Sequence, residues 1–292
     1  MSTIHQTAVV RGLSRRGITP PSFIGALGVI GAFVLVALFA PLILGDDPFA
    51  NHFIPGGGLA RYQTPSTAFP FGTNVYGQDI FQQTLLGAQR TLVIGFVSGA
   101  IIMIVGTLIG VVSGYFGGPT DAVLMRITDF FYAIPFLPFS LIFVHFFGTS
   151  LTSVCAAIGL IFWRTGARVV RSVVLSLRER QYVKAAKAAG ARPLWIVRYH
   201  IVPGIVAIGL LYGVFGAAWA ILTEATLSFI GLSDPTAISW GLMLNQAFAS
   251  GAIRFAWWWV VPPGVSLALL LGALFLLARS IEGAVDNRLA DR

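Results

Sequence analysis

The sequence predicts an all-α, polytopic membrane protein with six transmembrane helices. Three observations carry that prediction. Mean hydropathy is +0.83, charged residues make up only 10% of the 292, and apolar runs recur near the roughly 20 residues a helix needs to cross a hydrocarbon core. A soluble domain carries about 25% charged residues, so a water-soluble enzyme or binding module is excluded. The formal charge of +8 reads as basic loops on the cytoplasmic side of a membrane rather than as a nucleic-acid surface. One cysteine, Cys155, lies inside an apolar run. It excludes an intrachain disulfide and reads as a packed, inert thiol.

The elements follow in order. Residues 1–22 form a cytoplasmic tail with Arg11, Arg15 and Arg16, and residues 23–44 form the first span. No small-residue cleavage site follows, so this span reads as a retained anchor. Residues 45–90 are polar and rich in Pro and Gly, and are expected as an extracytoplasmic loop. Residues 91–278 hold the remaining spans. The second, 91–115, contains the close-packing steps Gly95–Gly99, Gly106–Gly110 and Gly110–Gly114. The third, 129–147, is interrupted by Pro135 and Pro138. The fourth begins at 151–163 and is extended by the helical turn that follows. The fifth is 205–230. The sixth, 257–277, has Pro262 and Pro263 near its start and Trp257, Trp258 and Trp259 as an expected outer aromatic belt. Residues 279–292 form a second cytoplasmic tail. With both termini inside, only three of the 19 Lys and Arg residues fall outside, Arg61, Arg90 and Arg254, in keeping with the positive-inside rule.

The longest charged interval is 177–203, with Arg178, Glu179, Arg180, Lys184, Lys187, Arg192 and Arg198. Its first half reads as a helix with Tyr182, Ala185, Ala186 and Ala189 on one face and Arg180, Lys184 and Lys187 on another. Gly190 stands where a left-handed helix cap belongs, and Pro193 suits the first turn of a second helix. Leu194, Val197 and Ile201 then recur at helical spacing until Pro203. The pattern predicts two short helices joined by a sharp turn, with an alanine face small enough for close approach by another surface.

Several ionisable residues fall in or near the spans, where charge is expensive and faces a partner or a cavity. Arg126 and Asp129, spaced i, i+3 at the inner entrance to the third span, are expected to pair. Arg164 and Arg168 are expected to continue the cytoplasmic basic face. Asp121 follows Gly117-Gly118-Pro119 as a helix-start residue. Glu224 lies toward the outer end of the fifth span, flanked by Leu222, Ala225 and Leu227. Contact with a pathway and a hydrogen bond to a neighbouring span are both open for it. Asp129, Pro135 and Glu224 are the candidate pathway or gate residues. Neither Lys184 nor Lys187 is followed by Ser or Thr, so no phosphate-binding loop can be written. His5, His52, His145 and His200 are scattered without ligand spacing, so no metal site is expected.

The spacing of Ala185-Ala186, Gly190 and Pro203 resembles the cytoplasmic "EAA" signature of ABC importer permeases. Lys184, His200 and Val202 stand where that signature has an acid, Ile and Leu. Residues 70–92 (PFGTNVYGQDIFQQTLLGAQRTL) resemble a stretch of the dipeptide, oligopeptide and nickel permeases. Phe71, Gly72, Thr73, Gly77, Asp79, Gly87, Ala88 and Leu92 match, and Asn74, Gln78, Gln82, Gln83 and Gln89 depart. Residues 114–135 (GYFGGPTDAVLMRITDFFYAIP) resemble a second stretch. Residues 223–244 resemble a third, one residue shorter and keeping only Pro235 of its prolines. The four matches are in order from about residue 70 to residue 244.

The resemblance implies a permease subunit of an ATP-driven importer for peptides or a similar small solute in the plasma membrane of a prokaryote. The implied partners are a second homologous permease subunit, two ATPase subunits that bind the ATP and Mg, and an extracytoplasmic substrate-binding protein, all at a lipid bilayer and without nucleic acid. No cofactor is expected on this chain, and no catalysis. Residues 177–203, with Tyr182, Lys184, Ala185, Ala186, Gly190, Ile196, His200 and Pro203, would form the loop that couples to the ATPases. The solute stays open among dipeptide, oligopeptide, nickel and others. The alternative is a self-sufficient secondary transporter or channel, which predicts transport without ATPases, acid–base pairs along a proton path and inverted repeats. The single embedded Glu224 and the lack of an evident repeat count against it. A membrane scaffold without transport is a third reading.

Overall fold

A computed structural model describes residues 21–45, 47–232 and 234–290. Residues 1–20 with Arg11, Arg15 and Arg16, the side chain of Arg288, and Arg292 lie outside the described residues. Among the described residues ten α-helices follow one another: α1 (Pro21–Leu44), α2 (Ile80–Phe116), α3 (Gly118–Ala133), α4 (Phe136–Phe147), α5 (Leu151–Arg178), α6 (Gln181–Ala188), α7 (Pro193–Ile196), α8 (Val202–Phe229), α9 (Trp240–Ala249) and α10 (Trp257–Ala290). A π-turn at Val197–Ile201 joins α7 to α8, so Pro193–Phe229 is one continuous helix of 37 residues. Among the described residues there are no strands, only the isolated bridges Phe53–Leu59 and Thr73–Asp79. Among the described residues five helices are long and apolar enough to cross a membrane, and the pair α3–α4, bent by 90°, supplies a sixth crossing if taken as one span.

The bend falls at Pro135, one of the two prolines expected to interrupt the third span, but the helix leading into it starts at Gly118 rather than 129. The residue before a proline is pushed out of the α region, and Ile134 (ψ 117°) and Pro135 (ψ 125°) are both extended. Pro138 falls in the first turn of α4, where its missing N–H costs nothing, and does not interrupt the helix. The second helix also differs from expectation by starting at Ile80 rather than 91. Asp79 caps it by accepting from the Phe81 N–H at 2.8 Å. The polar residues that disguised this start are used by the preceding loop: the Gln82 side chain donates to the Leu44 carbonyl at 3.0 Å and Gln83 to the Pro48 carbonyl at 2.9 Å. Asn74 and Gln83 both donate to Gln78 Oε1, at 2.8 and 2.9 Å. This buried network is built wholly of neutral amides, so folding the loop onto α2 buries no charge there.

α2 is the central post, and its glycines divide between two neighbours. A Cβ on Gly95 would stand 2.7 Å from Ile221, and one on Gly99 2.8 Å from the Gly213 carbonyl, both on α8. A Cβ on Gly106, Gly110 or Gly114 would stand 2.7–2.8 Å from Trp163, Ala167 or Val174 of α5. Small residues let helix backbones approach closely in an apolar solvent, where dispersion replaces the hydrophobic drive. α1, α9 and α10 close the bundle on the other side of α2 and α8.

Two cores result. One gathers Ile80, Leu86, Trp240, Met243 and Trp259 at the α9 end, where Trp240 Nε1 donates to the Thr84 carbonyl at 2.8 Å. Here the expected aromatic belt is corrected. Trp257 is 61% exposed, but Trp258 and Trp259 are buried and belong to the core. The other core gathers Val111, Tyr115, Val170, Val174, Leu177, Ile205 and Ile208 at the opposite end of α2, α5 and α8.

Candidate functional site

The interval 177–203 folds as a helical hairpin keyed into this second core. α6 ends in a Schellman cap: the Gly190 N–H donates to the Lys187 carbonyl at 3.0 Å and the Ala191 N–H to the Ala186 carbonyl at 3.0 Å. Gly190 itself has φ +80°, the left-handed conformation expected for it. Pro193 opens α7 at the first turn, as expected. The side chains of Val183, Ile196 and Ile201 are buried in the core, with Ala186 and Ala191 packed at its edge.

Two details of the hairpin differ from expectation. The face turned inward is Val183 with Ala186, whereas Ala185 and Ala189 are exposed beside Lys184 and Lys187. The alanine stripe is therefore split between the body of the protein and its surface. The second helix also changes phase. Pro203 has no N–H to offer the Tyr199 carbonyl and its ring crowds that carbonyl, and the chain rewinds as a π-turn in which the Val202 N–H reaches the Val197 carbonyl. Closure over five residues brings Ile196 and Ile201 to one side, and leaves Leu194 75% exposed.

What the hairpin presents outward is aromatic and basic. Trp195 packs against Tyr199 (5.2 Å between ring centroids) and edge-on against His200 (5.2 Å), and His200 packs against Tyr182 (5.6 Å). Tyr182, Trp195 and Tyr199 are each about half exposed. Beside them runs an open groove of about 620 Å³ lined by Arg180, Gln181, Tyr182, Tyr199, His200 and Pro203, with Leu177 and Gly204 at its base. Lys184 pairs with Glu179 at 3.1 Å, and this ammonium holds the Glu179 carboxyl below its ordinary range. Lys187 lies over the Tyr115 ring at 5.2 Å, tying α6 to the end of α2.

The candidate pathway residues stand apart from the hairpin. Asp129 pairs with Arg168 of α5, not with Arg126, because the face of α3 that carries it turns toward α5. Arg168 lies over the Tyr132 ring at 4.0 Å, and the Tyr132 hydroxyl donates to Thr165 at 3.1 Å. Pro135 marks the α3–α4 bend. Glu224 is buried near the C-terminal end of α8, 2% exposed, and accepts from the Ser228 hydroxyl at 2.6 Å. Asp121, at the start of α3 as expected, binds Arg171 through both carboxylate oxygens at 2.5 Å.

Arg164 and Arg168, expected on the cytoplasmic basic face, sit in the middle of α5, which runs unbroken from Leu151 to Arg178. Sequence reasoning assigned Arg164 to that basic face and passed over Phe162 and Trp219. The available signal was an arginine directly after the apolar run 151–163 in a helix that had to continue past it.

The model of one protein family, described as binding-protein-dependent transport system inner membrane component, matches residues 106–291. The chain is 33% identical over 264 residues to the dipeptide transport system permease protein DppC of Alkalihalophilus pseudofirmus, covering 89% of this chain and 84% of that protein. It is 30% identical over 266 residues to DppC of Bacillus subtilis, covering 90% and 82%. It is 32% identical over 219 residues to the oligopeptide transport system permease protein OppC of Haemophilus influenzae, covering 75% and 70%.

Proposed function

Because the chain belongs to the family of binding-protein-dependent transport system inner membrane components, we propose that it is the importer permease subunit through which peptides pass. In this reading it forms the pathway with a second, homologous permease. Two ATPase subunits supply the hydrolysis, an extracytoplasmic binding protein delivers the solute, and the chain itself catalyses nothing. It resides in the plasma membrane of a prokaryote, with the hairpin 177–203 on the cytoplasmic side. The relatives' names, dipeptide and oligopeptide permeases, support the peptide assignment. Basic-residue asymmetry supports the orientation.

The observation that carries the coupling role is the hairpin's two-sidedness. Val183, Ile196 and Ile201 fasten it to the bundle, while Tyr182, Leu194, Trp195 and Tyr199 stand exposed on an otherwise basic surface. Exposed aromatics rimmed by charge mark a protein interface. Displacement there passes into the bundle through one continuous helix, Pro193–Phe229, from Trp195 to Trp219 over about 36 Å at 1.5 Å per residue. ATP-driven closure of the partners thus moves α8 against α2 and α5 and changes the side to which the pathway opens.

The test is reconstitution. With its ATPases, second permease and binding protein, the complex should take up peptides only in the presence of ATP. The chain alone in liposomes should move none, and robust uptake without the ATPases overturns the reading. For orientation, Arg61→Cys and Lys184→Cys in a Cys155→Ala background should be labelled and spared, respectively, by an impermeant thiol reagent on intact cells.

A further inference from the structure

Four arginines lie along α5, and three of them meet carboxylates: Arg168 with Asp129, Arg171 with Asp121, and Arg178 with Glu179. Among the described residues no carboxylate lies within ion-pair distance of Arg164. Its neighbour Trp163 faces Gly106 of α2, within the glycine seam, and Arg164 stands about 20 Å from either end of α5. It therefore sits midway along a helix that is long and apolar enough to cross a membrane. Among the described residues its guanidinium makes one hydrogen bond, from Nη1 to the Phe131 carbonyl at 2.7 Å, out of five N–H donors. The rings of Tyr132 and Phe162 lie 4.7 and 6.0 Å from its central carbon. A half-buried cation with spare donors is costly against acyl chains and faces a cavity or a partner instead.

A cavity of about 370 Å³ opens beside it, lined chiefly by Phe162, Arg164, Thr165, Tyr212, Phe215 and Trp219. Phe162 and Trp219 are stacked, 6.4 Å between centroids and 18° between planes. The lining thus offers one guanidinium without a carboxylate partner among the described residues, two hydroxyl-bearing residues, Thr165 and Tyr212, and a set of aromatic faces. Its volume, at the small end for ligand sites, suits one residue rather than an extended chain.

We propose that this cavity is a subsite of the translocation pathway for a carboxylate flanked by an apolar or aromatic side chain, the chemistry of a peptide's C-terminal residue. The proposal rests on the importer reading above. Arg164 binds the carboxylate by charge-assisted hydrogen bonds, Thr165 adds its hydroxyl, and Phe162, Phe215 and Trp219 hold the side chain. Arg168 cannot substitute, because its charge is matched by Asp129.

The experiment uses the full complex in proteoliposomes with alanyl-phenylalanine and its C-terminal amide, each corrected for its measured occupancy of the binding protein. In Arg164→Gln the acid-to-amide uptake ratio should fall roughly tenfold, the loss of hydrogen bonds to a charged group. Arg164→Lys, which keeps the cation, should retain most of it. Co-purification of all subunits with both variants establishes assembly. In parallel, Thr165→Cys in a Cys155→Ala background should react with a water-soluble maleimide. Alanyl-phenylalanine delivered by the binding protein should slow that reaction, and adding Arg164→Gln should abolish the protection.

Acid and amide uptake falling together, or an unchanged ratio, overturns the subsite. So does an unreactive Thr165→Cys, which would mean that the second permease or lipid covers this face. If the unaltered complex moves neither compound, the peptide reading itself fails, and the two failures are told apart by that control.

Discussion

Substitution of Gly190 separates backbone strain from contact with a partner. Gly190 has φ +80°, and a Cβ built on it meets nothing within 4 Å. Gly190→Ala therefore carries only the conformational cost of a left-handed non-glycine residue, about 1 kcal/mol, or roughly fivefold in the population of the turn. Gly190→Leu carries the same backbone cost, and the isolated subunit has room for the larger side chain. Thermal unfolding of the purified subunit should thus be shifted equally by the two. Against an ATPase surface the leucine additionally overpacks the contact, at about 1–3 kcal/mol. Titrated pull-down should then show ATPase binding weakened by roughly 5- to 150-fold more in Gly190→Leu than in Gly190→Ala. Equal binding by the two variants would refute the placement of this turn in the interface. Ala186 is a poorer probe, since it packs against the protein's own core and Ala186→Leu would mix folding with docking.

Four further outcomes are expected. Lys184→Ala should leave both unfolding and ATPase binding within error, because the Lys184–Glu179 pair is solvent-exposed on both sides and such pairs are screened. Gly110→Val should lower the unfolding temperature in detergent by the equivalent of about 1–3 kcal/mol, since its Cβ would stand 2.7 Å from Ala167 and Val170; Gly264→Ala, with nothing within 4 Å, should be neutral or slightly stabilising. Glu224→Gln keeps an acceptor for the Ser228 hydroxyl and should assemble and transport normally, whereas Glu224→Ala strands that buried hydroxyl and should cost about 1–3 kcal/mol; lost uptake in a well-assembled Glu224→Gln would instead give the charge a role in transport. The Asp234 carboxyl is held below its ordinary value by hydrogen bonds from Thr236 and, more weakly, by Arg90 at 3.8 Å. Its stabilising effect is present above the unfolded value of about 3.9 and fades as pH falls below it, so the unfolding temperatures of the native protein and Asp234→Asn should differ at pH 7 and converge in acid; a gap independent of pH removes the carboxylate from the account.

The properties legible in the sequence are those set by local chemistry. Apolar runs set the spans because a helix in lipid must satisfy its own backbone and needs about 20 residues to cross. The hairpin was legible because Gly190 and Pro193 act on their own dihedral angles and hydrogen bonds, whatever surrounds them. The ordered motifs around it were enough to suggest the family. Tertiary structure alone decided what depends on the rotation and register of one helix against another. Asp129 binds Arg168 rather than Arg126 because α3 turns that face to α5, a choice that i, i+3 spacing does not contain. The orientation of α10 likewise hides Trp258 and Trp259 in the core while leaving Trp257 outside, and that of α2 directs its glycines to two different neighbours. Arg164 read as one more residue of the cytoplasmic basic face until the length of α5 placed it midway along a candidate span, among aromatic rings. Periodicity along a chain fixes which residues share a face. Only the packed bundle fixes what that face meets.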